Sequence, residues 1–452
     1  MPLRMQRLIT LAALITAGAA AVSPAQIDIG LRLRDATTIE FQTESNRNYQ
    51  VEYCTNLLNG AWTPLGPKVS LLSGAYANGV SVPADRAFYR VAIWDVPAAS
   101  PFVSVRGTRF YCRGQPFYFA GCNAYYLWYA ALDPGSVAPN QGSLLPLLDA
   151  AEALGLSVIR TWGFSNGQYT HGFCFQPAPG VYDEATFAHF DRVIKEASDR
   201  DLKLIVSLVN NWSDFGGMDV YNSWCGVPSH DGFYTNSATR ALYKAYVTAF
   251  LNRTNALTGI RYKEDPTIMA WELANQPRCP SDKTGAALNA WIAEMSAFIK
   301  SQDTNHLVTT GIDGGYLDKG SNPWAWWYKG NEGQDYLGNH RWPSVDFATF
   351  HYYPSMDYTV DAGQWISEHI QDAHALIGKP VLFGEFDSLT DREASLAAWY
   401  GVMETNAVDG DTFWMLADRT IAGNNDGYFI FYPDDTNLCR IVSAHAAWMN
   451  GR

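Results

Sequence analysis

The sequence contains no run of lysine or arginine, and its 32 Lys and Arg against 45 Asp and Glu give a formal charge of −13 at pH 7. An acidic surface without a basic patch disfavours nucleic acid and anionic membrane as partners and suits a neutral substrate. Beyond the N-terminus no stretch approaches the ~20 uninterrupted apolar residues of a membrane-crossing helix. None of the seven cysteines (54, 112, 122, 174, 225, 279 and 439) forms a CxxC pair, and no two histidines take helical metal-ligand spacing. A structural zinc site is therefore not expected, and no other metal or cofactor is expected either. The odd cysteine count leaves at least one thiol without a partner inside the chain, even where export permits disulfides.

What the chain does have is length and apolar mass. Its 452 residues, 47% of them hydrophobic, suit one large domain plus a smaller one. Sixteen Trp and 25 Tyr fill a large core or provide flat faces for sugar rings, and composition alone leaves both open. Arg4 and Arg7 precede the apolar run Leu8–Val22, followed by Ser23, Pro24 and Ala25. That pattern predicts a signal peptide over residues 1–25 and a secreted chain, extracellular or periplasmic, with no membrane attachment after cleavage.

Residues 27–97 read as a small all-β, sandwich-like domain, a possible accessory module. Alternating runs at Thr38–Gln42 and Tyr49–Tyr53 and the β-rich Phe88–Ile93 are separated by turn residues. Tyr53, Trp62 or Tyr76 binds glycan there or fills its core. Residues 95–101 read as a linker. From 98 to 452 short apolar runs alternate with amphipathic stretches. Strands are predicted at Phe117–Asn123, Ser157–Trp162, Lys203–Val209, Thr267–Leu273, His306–Gly311, Phe347–His351, Pro380–Phe386 and Thr412–Leu416. Helices are predicted at Leu144–Leu154, Ala185–Asp199, Ser237–Leu257, Thr284–Ser301, Ala362–Ile377, Arg392–Asn406 and Thr436–Met449. Eight such repeats make an α/β fold of the (β/α)₈ TIM-barrel type. A doubly wound sheet lacks its Gly-rich phosphate turn after the first strand. Residues 313–346, Gly- and Trp-rich, read as an elaborated loop after the fifth strand.

Active sites of such barrels lie at the C-terminal strand ends. Here those ends carry Arg160-Thr161-Trp162, Asn210-Asn211-Trp212, Asn275-Gln276, His351-Tyr352-Tyr353, Glu385 and Trp414. A retaining glycosidase needs a nucleophilic carboxylate and a second carboxyl as acid/base, ~5–5.5 Å apart. Glu385 suits the nucleophile, and a neighbouring Arg160 would favour its ionised form. Glu272 lies four residues before Gln276, ~13 Å away at ~3.3 Å per residue. It reads as a buried structural carboxylate.

At these residues the chain resembles the mannan endo-1,4-β-mannosidases of glycoside hydrolase family 5, over nearly all of residues 102–450. Val158–Phe164, Ser207–Trp212 with Phe215-Gly216-Gly217, Trp271–Cys279, Phe347–Pro354 and Pro380–Phe386 carry the resemblance. It implies retaining, endo-acting hydrolysis of β-1,4-mannosidic bonds in mannan, galactomannan or glucomannan. It implies Glu385 as nucleophile and Gln276 at the acid/base position. Asn275 would bond the sugar 2-hydroxyl, Arg160 and Tyr353 would hold the nucleophile charged, and His351 would support the acid/base side. Trp414 would stack under the sugar, Arg278 would reach a sugar on the leaving-group side, and Trp162 would line the site. The expected partner is β-mannan or a manno-oligosaccharide, bound by a monomer.

Gln276 departs from the family, which has glutamate there. An amide cannot donate a proton as a carboxylic acid does, so activity on natural mannan should be strongly impaired. A substitution that holds an uncleaved ligand and a divergence toward binding, or toward substrates whose leaving group needs no acid, both account for it. Rival readings are a non-catalytic β-glycan-binding protein and a cellulase or β-glucanase on the same barrel. A serine hydrolase is a third, from the GxSxG match at Gly163–Gly167, but the glycines and prolines after it read as loop where an elbow needs a helix.

Overall fold

The computed structural model describes residues 100–131, 144–167, 172–320, 326–354, 360–417 and 426–452, together with residue 61 and strand segments within the first hundred residues. Two compact units are present, Met1–Ser100 and Pro101–Arg452.

In the first unit, Thr38–Thr43 pairs antiparallel with Arg32–Asp35 on one side and Gly74–Gly79 on the other. A second sheet centres on Arg47–Cys54, which pairs along its length with Phe88–Asp95 and more briefly with Thr63–Pro64 and Val69–Leu71. Val51, Cys54 and Val91 are buried. Of the candidate glycan binders, Tyr53 is half-buried, Trp62 lies outside the described residues, and so does the Tyr76 side chain. Within the expected signal peptide only Thr10–Leu11 is described, as a strand parallel to Phe88–Tyr89. Residues 12–25, with the expected cleavage site, and the linker core 96–99 lie outside the described residues.

The second unit is the expected (β/α)₈ barrel. Its strands are β1 (Phe119–Asn123), β2 (Val158–Trp162), β3 (Lys203–Ser207), β4 (Ile268–Glu272), β5 (Leu307–Thr309), β6 (Ala348–Tyr352), β7 (Val381–Phe386) and β8 (Gly410–Phe413). All run parallel, in the order β5-β4-β3-β2-β1-β8-β7-β6. The ring closes between β5 and β6 through Asp346 N–H to the Val308 carbonyl (2.8 Å) and the Thr309 hydroxyl to the Phe347 carbonyl (2.9 Å). Every strand is buried along its whole length, which is why the sequence shows apolar runs instead of alternation.

Helices Leu144–Ala153, Glu184–Asp199, Ser237–Asn252, Ala286–Gln302, Ala362–Asp372, Arg392–Thr405 and Thr436–Asn450 lie close to their predicted spans. Two predictions overshoot. The α-helix predicted at Ala362–Ile377 ends at Asp372 and passes into a π-helical turn over Ala373–Ile377. The third of these helices ends at Asn252, not Leu257, because Arg253 leaves the helical conformation and turns its guanidinium onto Asp191. Asn255 then draws the Leu257 and Thr258 N–H groups onto its own side chain, a local alternative to helix. The segment after β5 is irregular as expected, with a 3₁₀ turn at Trp326–Tyr328 and a short helix at Tyr336–His340.

A feature absent from the sequence reading closes the N-terminal mouth. Ser104–Arg106, Arg109–Cys112 and Gln115–Pro116 form a small antiparallel sheet. Its Phe110 packs on Phe119 and Phe347 (ring centroids 5.6 and 5.2 Å). With Val103 it joins the barrel-interior residues Val158, Ile205, Met269, Leu307 and Leu382 in one apolar cluster. Water is thereby kept from the charged groups one layer above.

Candidate active site

Arg160, near the end of β2, is fully buried, and each of its five N–H groups has an acceptor. Nε donates to Glu272 Oε2 (3.0 Å), and one terminal nitrogen to Glu272 Oε1 (2.6 Å) and Asn275 Oδ1 (2.7 Å). The other donates to Glu385 Oε1 (2.6 Å) and Asn123 Oδ1 (2.9 Å). Burial works against this charge, but Glu272 and Glu385 outweigh it and hold the guanidinium pKa above its ordinary value. Glu272 is fully buried in this network and also accepts from the Ser207 hydroxyl. It faces β2 and β3 rather than the cleft.

Glu385, at the end of β7, is held on its other oxygen by the Tyr353 hydroxyl (2.8 Å), with His351 Nδ1 at 3.6 Å. Burial pushes the Glu385 carboxyl up to about 7, against the opposing pull of Arg160 and the Tyr353 hydrogen bond and with a push from Glu272. Arg160 and Tyr353 both favour the ionised form, as the resemblance implies, while burial works against them.

Gln276 follows β4 in the left-handed region (φ 52°). Its Oε1 accepts the Trp212 indole N–H at 2.7 Å, and its Nε2 lies 3.1 Å from His351 Nδ1. An indole N–H can only donate, so the amide oxygen must face Trp212 and the amide nitrogen must face His351. His351 Nδ1 then accepts, and its proton sits on Nε2, which is buried without a hydrogen-bond partner among the described residues. Burial, then Arg160 and Arg278, hold the His351 pKa well below its ordinary value, so the ring is neutral. Gln276 Nε2 lies 3.1 Å and Glu385 Oε2 3.6 Å from one nitrogen, which bounds their separation: it admits the spacing of retaining pairs (~5–5.5 Å) and reaches at most the lower edge of inverting pairs (~6.5–9.5 Å).

Asn275 takes its place through Arg160 and through Nδ2 donation to Asn210 Oδ1 (3.0 Å). Trp414, after β8, lies on Tyr125 (centroids 5.6 Å, planes 13° apart), and its N–H donates to Asp426 Oδ2 (3.1 Å). The Trp414–Met415 peptide is cis. Trp162 is 6% exposed and packs between Tyr125 and Phe164. Together Trp162, Asn275, Gln276, Tyr353, Glu385 and Trp414 line one cavity of about 360 Å³, with Trp212, Asp214, Asp426 and Tyr428. Trp212 also borders a second cavity of about 320 Å³ that Arg278 lines. The Arg278 guanidinium does not extend unengaged toward a sugar. It donates twice to Asp313 (3.0 and 2.7 Å) and lies 4.8 Å from the ring centres of both Trp212 and Trp327.

Trp212, Asp214, Asp426 and Tyr428 join the expected site residues in lining the first cavity. Trp212 closes the Asn210-Asn211-Trp212 segment after β3, so position alone offers it. Asp426 and Tyr428 lie well past β8, with no pattern to mark them. The GxSxG segment is no nucleophile elbow: Ser165 is fully buried, and among the described residues after Gly167 no helix begins until Glu184. No disulfide joins any of the seven cysteines.

The glycoside hydrolase family 5 β-mannosidase-like family matches residues 100–417. Mannan endo-1,4-beta-mannosidase 7 of Arabidopsis thaliana is 36% identical over 380 residues, covering 77% of this chain and 85% of its own length. A putative mannan endo-1,4-beta-mannosidase 9 of Oryza sativa subsp. japonica is 37% identical over 383 residues, 78% of this chain and 91% of its own. The crystal structure of the endo-1,4-beta-mannanase from Rhizomucor miehei superposes with a TM-score of 0.70 at 35% identity, covering 78% of this chain and all of that one.

Proposed function

The chain belongs to the β-mannosidase-like group of glycoside hydrolase family 5, and from that premise we propose that its barrel is built for retaining, endo-acting hydrolysis of β-1,4-mannan, with the proton-transfer step disabled at Gln276. The observation that carries this reading is the seat of Glu385. It is fixed on both oxygens by Arg160 and Tyr353 and shares a cavity with Gln276.

In this reading a Glu385 oxygen attacks the anomeric carbon, a carbon–oxygen ester bond forms, and the bond to the leaving sugar breaks. Asn275 engages the 2-hydroxyl, and Trp414 lies under the intact sugar ring as it flattens toward the oxocarbenium-like transition state. Arg278, held flat by Asp313, borders the leaving-group side. The departing oxygen needs a proton and the later attacking water needs a base, and the Gln276 amide supplies neither. The chain as given is therefore competent in nucleophile and deficient in acid/base.

A dinitrophenyl β-mannobioside, whose leaving group needs no acid, separates the two. The expected result is a stoichiometric burst of phenol, a glycosyl adduct on the Glu385 peptide by mass spectrometry, and turnover restored by azide with β-glycosyl azide as product. Absence of any burst, or an adduct on another residue, contradicts the assignment. The second reading, a β-glycan-binding protein, is favoured by one feature: the Gln276 amide is hydrogen-bonded at both ends, to Trp212 and His351, and settled in its place.

A further inference from the structure

The cavity on the Gln276 flank continues outward along a line of fixed side chains. Trp212 lines both cavities, so the two adjoin at its side chain. Arg278 forms the next step, clamped between the Trp212 and Trp327 rings and pinned by Asp313. Glu332 follows, lining the same cavity with its carboxylate 3.8 Å from the Arg278 guanidinium. Its other oxygen accepts the indole N–H of Trp326 at 2.6 Å. Trp326 is 48% exposed, yet its ring is tethered by Glu332 and its carbonyl accepts from Asn331 Nδ2 (3.1 Å).

A large indole held at its polar edge with half its surface in water leaves an apolar face available in a set orientation. The C–H face of a pyranose packs well on such a ring. Resting on the mannan reading above, we infer that Trp326 is a sugar platform on the leaving-group side, beyond the cavity lined by Arg278. It engages mannosyl units distal to the cleaved bond and so lengthens the stretch of polymer the cleft grips. The platform comes from the irregular segment after β5, which gives that segment's tryptophan a task in substrate selection.

Calorimetric titration of the chain as given, with mannotriose through mannohexaose, tests this without interference from cleavage. Trp326→Ala is expected to weaken binding of the longer oligosaccharides ~three- to tenfold, within the range of one aromatic contact, and to leave mannotriose unchanged. Trp326→Phe, which keeps a ring, should retain most of the affinity. Trp342→Ala, at a 38% exposed tryptophan outside both cavities, should change nothing. Equal weakening at all lengths, or none at any length, overturns the platform and leaves the mannan reading standing. Absence of manno-oligosaccharide binding by the parent chain overturns both.

Discussion

Gln276 differs from a glutamate by one amide nitrogen, and its surroundings respond to that difference. With a carboxyl group in its place, the Trp212 N–H still has an oxygen to donate to, while His351 Nδ1 presents a lone pair to the other oxygen. An acceptor on that side favours the protonated acid over the carboxylate, which is what a proton donor at neutral pH requires. Glu385 has the opposite need, since it must be ionised to attack. Its carboxyl is raised to about 7, so the attacking form grows as pH rises through that value. Mannosylation of the given chain by an activated substrate is therefore expected to climb with pH toward a plateau above about 7, with no descending limb. The Gln276→Glu form should give a bell. A rate for the given chain that is flat from about pH 5 upward would contradict a Glu385 carboxyl raised by burial. Arg160 is the residue on which both carboxylates depend. Arg160→Met strands Glu272 and Glu385 without a counter-charge and should cost ~3–5 kcal/mol in denaturant unfolding, unless the site takes up protons. A loss below ~1 kcal/mol would mean the network matters little to the fold.

At the scale of elements, the eight strands were legible because each is buried on both faces and reads as a short apolar run. The helices were legible from their period, except where Asn255 offered the backbone another partner. The sheet that plugs the N-terminal mouth was not legible, because Ser104–Arg106 and Arg109–Cys112 are too short to stand out. The loop after β3 carries a constraint that sequence hints at only through its paired glycines. Gly217 has φ 64°, and a Cβ there would lie 2.1 Å from the Trp212 carbonyl oxygen and 2.7 Å from that of Asn210. Gly217→Ala should shift Trp212 away from position 276. The expectation is ~1–3 kcal/mol less stability and, in the Gln276→Glu background, a lower kcat with an altered acidic-to-alkaline profile. Unchanged kcat beside lowered stability would show that Trp212 does not position that side chain.

At the scale of the molecule, the candidate site was readable because a barrel of this kind gathers its strand ends on one face. Arg160, Gln276, His351, Tyr353, Glu385 and Trp414 needed only that rule to be brought together. Their partnerships did not follow from it. Arg278 on Asp313, Trp212 on Gln276 and Trp414 on Asp426 join segments far apart or loops without pattern, and only the folded chain sets them side by side. The charge of −13 is compatible with the proposed substrate, since a neutral polymer needs no electrostatic attraction.

The account turns on whether the barrel is a mannan-cleaving site lacking one acid. Reducing-sugar release from mannan, glucomannan and cellulose by the chain as given and by Gln276→Glu tests it directly. The account predicts a given chain nearly inert on all three and a glutamate form faster on mannan by ~10²–10⁴-fold. A glutamate form inert on every polymer, or a given chain that cleaves mannan just as fast, would contradict it.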